Sequence, residues 1–378
     1  MSKTVNTNSD FGYLNILLNN SSDEIIESSY NETQSQPILT QMQDFNLAIV
    51  RLKIPTTAIP LMVFEDNAYF IGFSLGDNDT NLLIEDVNYD IYVNGSNASP
   101  QNRFIYYYNQ FLTCVNNALA RLWTTALATP AYATIIPAPS YIDVNRPKFR
   151  LSPQETYIEL LVPFKDSENP ATPFYPKNPN GINILMSKKL FYFFSGFSAG
   201  ISLTGGFGGD PRMSYKLQIG NYLNGESNIA TLPYPPLPSL TYNIVSQDYP
   251  SLFLWQTLTR IIITTTIPIE TETILIKGQD GKPNKQSILT DFEISQTQLG
   301  LREYIYFYPQ GELRRNNFKS TGWLDRFDCK VWFQTKDLSI YPVYIPPTFE
   351  CNIKIEFKRR KAKELLQYTQ DTTKLTYF

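Results

Sequence analysis

Two β-branched runs far apart in the chain begin alike and stop alike. The first is Ala48-Ile49-Val50-Arg51-Leu52-Lys53-Ile54-Pro55-Thr56-Thr57-Ala58-Ile59-Pro60. The second is Leu258-Thr259-Arg260-Ile261-Ile262-Ile263-Thr264-Thr265-Thr266-Ile267-Pro268-Ile269. β-branched side chains are stiff at χ1 and fit a pleated surface, and proline withholds the N–H that a central strand must donate. Each run therefore reads as a strand halted at a fixed point, and together they commit the chain to a mainly β class. Shorter strands are expected at 68–75, 81–87 and 89–93 after the first run. After the second they are expected at 273–277, 287–295, 303–308, 328–335, 339–344 and 349–357. Gly, Asp and Asn separate them, and Asp280-Gly281-Lys282-Pro283-Asn284 has turn chemistry. Such spacing belongs to a sandwich or barrel. Two strand sets that begin alike fit one sandwich interrupted by an insertion, and they equally fit two separate β domains.

The intervening stretch has a different period. Over 103–127, apolar residues Phe104, Tyr108, Phe111, Leu112, Val115, Leu119, Leu122, Trp123 and Ala126 recur at helical spacing, with Asn109, Asn116, Asn117 and Arg121 opposite. Strands are expected at 148–151, 157–162, 182–186 and 213–219, between proline-rich connections that fix φ and stiffen loops without a ladder. These signals place an inserted α+β domain at 99–238, with the sandwich at 41–98 and 239–357. Residues 1–40 are polar and locally acidic, and read as an N-terminal arm. Its one apolar island, Phe11 to Leu18, suits a short strand docked on a neighbour; a disordered terminus fits the composition as well.

Composition narrows the chemistry. None of the 378 residues is histidine, which excludes Ser-His-Asp and Cys-His nucleophile pairs and zinc sites that need imidazole. Cys114, Cys329 and Cys351 are odd in number and widely spaced, so no CxxC centre forms and a reducing compartment is expected. No apolar run is long enough to span a membrane, and Met1-Ser2-Lys3-Thr4-Val5-Asn6 lacks the apolar core of a signal peptide. Sequons at Asn20, Asn94 and Asn97 are then expected to stay idle. A net charge of −3 gives no global attraction for nucleic acid or acidic membranes.

Local motifs add little chemistry. Gly196, Gly200, Gly205, Gly206, Gly208 and Gly209 invite a phosphate-loop reading. Asp210-Pro211-Arg212 follows instead of Lys-Ser/Thr, which sets a carboxylate where phosphate would sit. A close-packing surface loop is the better reading. Asp86 with Asp90, or Glu155 with Glu159, could run a glycosidase without histidine, yet solvated turns and strand edges explain them more simply. Asp77-Asn78-Asp79 lacks the remaining ligands of a calcium loop. No catalytic, cofactor or metal residue is assigned, and no enzyme activity is expected. Lys358-Arg359-Arg360-Lys361-Ala362-Lys363 is the one dense basic run. With 358–378 read as a basic C-terminal tail, Lys358, Arg359, Arg360, Lys361 and Lys363 become candidates for contacts with packaged DNA or an acidic partner.

Aromatic residues make up 14% of the chain, and they cluster at Tyr106-Tyr107-Tyr108, Phe191-Tyr192-Phe193-Phe194 and Tyr304-Ile305-Tyr306-Phe307-Tyr308. Consecutive rings must point apart, so one set faces a core and the other a second surface; tyrosine suits interfaces. Three segments resemble the penton (vertex) capsid proteins of virophages and Polinton-like viruses. They are Asn46 to Pro60, Tyr107-Tyr108-Asn109-Gln110-Phe111 continuing through Val115-Asn116-Asn117-Ala118-Leu119, and Leu190 to Phe197. The resemblance is carried by residues 43–200, and 257–357 match only as β pattern. It implies a single jelly-roll β-sandwich with an outward-facing insertion. It also implies homopentamers at the five-fold vertices of an icosahedral shell, beside a major capsid protein, in a virion assembled in the host cytoplasm. No Arg-Gly-Asp tripeptide occurs, so integrin attachment of the adenoviral kind is not expected. A carbohydrate-binding or glycan-hydrolysing β-sandwich and a major single-jelly-roll coat protein are the competing readings.

Overall fold

The computed structural model describes residues 11–18, 29–33, 36–89, 103–133, 146–163, 182–218, 229–234, 237–277, 283–294, 304–309, 313–345 and 348–361. The chain forms two compact units, Met1–Pro60 with Thr257–Phe378, and Leu61–Gln256. The first unit opens with β1 (Phe11–Leu18), β2 (Ser29–Thr33) and β3 (Phe45–Pro55). The second holds β4 (Met62–Val63), β5 (Phe70–Leu75), β6 (Thr80–Asp86), β7 (Phe104–Ile105), α1 (Tyr108–Ala128), α2 (Pro130–Ala133), β8 (Lys148–Leu151) and β9 (Ile158–Pro163). It continues with β10 (Ile182–Met186), α3 (Lys188–Phe193), β11 (Ala199–Ile201), β12 (Tyr215–Leu217), β13 (Ile229–Tyr234) and β14 (Leu237–Ser246). The chain then returns to the first unit through β15 (Leu258–Thr265), β16 (Thr273–Lys277), β17 (Pro283–Glu293) and β18 (Tyr304–Phe307). It finishes that unit with β19 (Asn316–Asn317), β20 (Arg326–Thr335), β21 (Ile340–Pro342) and β22 (Cys351–Arg359).

The first unit is a jelly-roll sandwich of two antiparallel sheets. One runs β1-β22-β3-β18 with β19 also on β3, the other β16-β17-β15-β20-β2 with β21 on β20. The two look-alike runs are β3 and β15, and each is an interior strand of its own sheet. Interior strands pack on a core and carry ladders on both edges, which demands the β-branched, apolar composition that the two share. Leu47, Leu52, Ile54, Ile353, Ile355 and Phe357 of one sheet and Ile261, Ile263, Phe327 and Val331 of the other are buried. Phe357 meets Phe327 edge-on with ring centroids 6.4 Å apart, and Phe292 meets Phe307 at 4.9 Å, so rings join the two layers.

The island at Phe11 to Leu18 does form a strand, but it pairs within its own chain. It runs antiparallel to β22 from Phe11 opposite Lys358 to Leu18 opposite Cys351. Gly12, Leu14, Ile16 and Leu18 turn inward while Phe11, Tyr13, Asn15 and Leu17 face out, the period-2 pattern of a half-buried strand. Part of the stretch expected to be an arm is thus sheet.

The second unit begins at Leu61, directly after Pro60, and ends at Gln256. This differs from the expected insertion at 99–238, because β5 and β6 belong to the sheet β11-β12-β10-β5-β6. Phe73 of β5 stands opposite Ile184 of β10, and α1 packs across that sheet with Phe111, Val115, Leu119, Leu122 and Trp123 buried. At the other boundary β14 pairs with β9 from Tyr242 opposite Pro163 to Ser246 opposite Glu159, so 239–256 also lie in this unit. The double proline stop at Pro55 and Pro60 marks the exit from the sandwich.

Helix α1 starts five residues later than its periodicity predicts. Phe104–Ile105 pairs with Met62–Val63 instead. Gln110, in the first turn, accepts the Tyr106 N–H at 2.9 Å and donates to the Phe104 carbonyl at 3.2 Å, which holds the entering chain extended. Farther along, Asn116 donates to the Phe149 carbonyl at 2.8 Å and accepts the Phe149 N–H at 2.7 Å. Strand β8 is the edge of the sheet β13-β14-β9-β8, so this side chain occupies backbone groups that an open edge would leave to another chain.

Among the described residues no helix is long and apolar enough to cross a membrane. All three cysteines are buried and none is in a disulfide, and burial pushes the Cys329 and Cys351 thiols up. The strand expected at 89–93 falls outside the described residues from 90 onward, as do Asn20, Asn94, Asn97 and 280–282 of the predicted turn.

Candidate assembly surfaces

The basic run is only partly a tail. Strand β22 extends through Arg359, so Lys358 and Arg359 sit in the ladder opposite Asn46 and Phe45. The Arg359 guanidinium lies 4.0 Å from the Asp44 carboxylate. Arg360 is buried, with its N–H on the Asp44 carbonyl at 2.7 Å and its Nη1 on the Gln43 carbonyl at 3.5 Å. Lys361 is exposed, and Lys363 lies outside the described residues. Three of the five candidates are therefore tied to the sandwich, because the last strand outruns its apolar alternation by two basic residues.

Other sequence candidates resolve into local structure. Glu159 is buried and paired with Arg150 at 2.7 Å, while Glu155 stands on an exposed turn. Asp86 is exposed at the end of β6, and Asp90 lies outside the described residues. The carboxylate that follows the glycines closes on its own neighbour: Asp210 meets Arg212 at 2.7 Å, and that hydrogen bond holds the Asp210 carboxyl below its usual range. The glycines serve close packing. A Cβ on Gly206, whose φ is 71°, would fall 1.7 Å from the Asp210 carbonyl oxygen. One on Gly196 would fall 2.1 Å from that of Tyr249. A backbone carbonyl cannot rotate aside as a side chain can, so Gly196→Ala is expected to cost about 1–3 kcal/mol. A G196A chain that melts with the parent in a thermal scan contradicts this contact.

Asp77-Asn78-Asp79 is a turn, and its last residue carries a buried network. Asp79 accepts from Ser74 at 2.6 Å and Asn183 at 2.9 Å, and pairs with Lys216 at 2.9 Å. Asn183 also donates to the Gly76 carbonyl at 2.7 Å. The network joins β5, β10 and β12 to the turn, and every carboxylate oxygen has a partner.

The aromatic clusters build two surfaces. In the second unit, Phe111, Phe193, Phe194 and Trp255 are buried together, with the Trp255 ring 5.0 Å from Phe111 and 5.6 Å from Phe193. Helix α3 ends at Phe193, whose carbonyl has no partner inside the helix. Trp255 Nε1 donates to it at 2.7 Å and the Ser251 hydroxyl at 2.6 Å, so a short helix is held by a segment far along the chain. Around this nest Tyr107, Tyr192, Tyr249 and Phe253 are each about half exposed. The cluster at 191–194 was readable in the sequence; Trp255, which anchors it, carried no local signal.

The second surface is the outer face of the sheet β1-β22-β3-β18; the sequence marked Tyr306, Tyr308 and Lys358 in it but not its other members. Phe11, Tyr13, Tyr306 and Tyr308 are exposed there, and Arg51, Lys53, Lys354 and Lys358 alternate outward on β3 and β22. Lys53 Nζ sits 3.8 Å from the Tyr304 ring centroid, Lys354 4.4 Å from Tyr13 and Lys358 5.4 Å from Phe11. The signal was available: Asn352, Lys354, Glu356 and Lys358 alternate with Cys351, Ile353, Ile355 and Phe357. By contrast, the outer face of the other sheet carries a buried apolar group of Ile262, Ile288 and Trp332.

A family model described as Sputnik minor capsid protein V18/19 matches residues 91–359. Among solved structures, a chain of the cryo-EM structure of the Sputnik virophage superposes with a TM-score of 0.62 at 21% identity, over 93% of this chain and 98% of that one. The crystal structure of the mavirus penton protein superposes with a TM-score of 0.57 at 17% identity, over 93% and 99%. No curated protein sequence matches.

Proposed function

Because the chain belongs to the Sputnik minor capsid protein V18/19 family, and so has a structural role in a virion capsid, we propose that five copies close a ring at each five-fold vertex of an icosahedral shell. The observation that carries this reading is the family match over 91–359, which takes in most of both units. The fold of the mavirus penton protein supports the vertex assignment. Symmetry favours the same arrangement. Identical copies related by rotation make one heterologous contact repeatedly, and the ring closes when the rotation does. An obligate contact of this kind buries on the order of 2,000 Å² or more, and half-exposed rings such as Tyr107, Tyr192 and Phe253 supply apolar area for it.

In this reading the protein works by shape and turns over no substrate. Its partners are four further copies and the neighbouring major capsid protein, and assembly takes place in the host cytoplasm. The test is the native mass of the purified full-length protein. A species at five times the 43.4 kDa chain mass is expected. A preparation that stays monomeric at every concentration, or that closes with another symmetry, overturns the proposal.

A further inference from the structure

The outer face of the sheet β1-β22-β3-β18 carries a charge pattern that ring closure does not explain. Among the described residues, six charged ones of β3, β22 and the segment beside them share it: Arg51, Lys53, Arg315, Lys354 and Lys358 against Glu356. The Glu356 carboxylate is already satisfied, by Arg315 at 2.7 Å and the Tyr13 hydroxyl at 3.2 Å. Arg51 is engaged by Asn352 at 3.1 Å. Lys53, Lys354 and Lys358 form no ion pair with a described carboxylate, and each rests its ammonium over a ring instead. A ring positions an ammonium without neutralising it, so all three charges stay available to a ligand.

We propose that this face binds a polynucleotide, with the three lysines on backbone phosphates and the exposed rings on bases. The chain as a whole is acidic, at −3, so attraction for a polyanion has to be local, and here five described cations share an antiparallel sheet face with one spent anion. Adjacent strands lie about 4.8 Å apart and alternate residues about 6.8 Å apart, which spreads the lysines along the face as a track. An acidic protein would satisfy the charges but leave the rings unused. Phe11, Tyr13, Tyr306 and Tyr308 are exposed beside the lysines, and the planes of Tyr306 and Tyr308 are within 5° of parallel. Positive charge beside accessible aromatic faces is the combination that holds single strands without regard to sequence. The basic run identified in the sequence contributes one member, Lys358, and the others come from strands far from it in the chain.

The proposal is independent of ring closure, since binding and native mass are read separately. The test is fluorescence anisotropy of the full-length protein with a labelled oligothymidylate and with a labelled duplex, between about 50 and 200 mM salt. Binding that weakens with salt is expected for both. The triple variant K53Q/K354Q/K358Q is expected to bind on the order of tenfold or more weakly and to lower the salt slope on the single strand by about 2. K285Q/K336Q, which changes one exposed lysine of the other sheet and one in the turn after its strand β20, is expected to bind as the parent does. Tyr306→Ala is expected to weaken the single strand more than the duplex. No binding at the lowest salt, or a triple variant equal to the control, overturns the proposal. Displacement by poly-glutamate as effective as by polynucleotide overturns it too, and assigns the face to an acidic protein.

Discussion

Replacing Trp255 with alanine is expected to destabilise the second unit by about 3–5 kcal/mol, the range for deleting a buried large aromatic side chain. Three losses combine. The indole is fully buried among Tyr108, Phe111, Phe193 and Phe194, so a cavity opens in a nest made almost entirely of rings. The edge-to-face contacts go with it. The Phe193 carbonyl then keeps only Ser251 as a donor, and six-residue α3 has no intrinsic stability to fall back on. Amide exchange in α1 and α3 is expected to accelerate by roughly 10²–10³-fold, with little change in β3 and β22 of the other unit. Trp255→Phe keeps most of the volume and removes the donor, so it isolates the hydrogen bond, about 1–2 kcal/mol. Unchanged exchange in α1 and α3 of the alanine variant would contradict the role assigned to the nest.

The second large effect is expected at Asp79. Its carboxylate is buried and holds Lys216, Ser74 and Asn183, and its φ of 51° is one that Asp and Asn tolerate better than alanine. Asp79→Ala is expected to cost about 3–5 kcal/mol, because it strands a three-quarters-buried ammonium and two polar side chains as well as straining the turn. Asp79→Asn keeps the shape and the backbone preference, and should cost less. Lys216→Met alone strands the carboxylate instead. Combining Asp79→Asn with Lys216→Met in one chain removes both charges, so the double variant is expected to be more stable than the sum of the single losses predicts. Thermal unfolding of the parent, the two single variants and the double variant measures that difference. Strictly additive effects would mean that the pair is not coupled in the folded protein.

Legibility in the sequence followed locality. The interior strands β3 and β15 could be read because every force on them, from branching to the terminating prolines, is written in consecutive residues. Helix α1 was visible for the same reason, apart from where it starts, which is decided by Gln110 reaching back to Tyr106 and Phe104. Strands β5 and β6 were visible as strands but assigned to the wrong unit. Their alternation is that of any half-buried strand, and only the register with β10 says which sheet they join. Phe11 to Leu18 was visible as an apolar island, while its partner lies at the far end of the chain. Helix α3 is too short for a period to show. The surfaces divide in the same way. Tyr107 and Tyr192 stood out as members of clusters, whereas the lysine track is spread over β3 and β22 and becomes one surface only through their pairing. The basic run drew attention to itself as a block, yet Arg359 and Arg360 are spent on Asp44 and Gln43.

As proposed above, this capsid protein is one of five equal members of a vertex ring. A reconstruction of assembled particles, with the chain fitted into the density, tests it most directly. Five copies around each icosahedral five-fold axis are expected, each contributing apolar side chains to two neighbours. Density for this fold on the triangular faces, where a major coat protein would tile the shell, or empty vertices in particles that contain the chain, would contradict it.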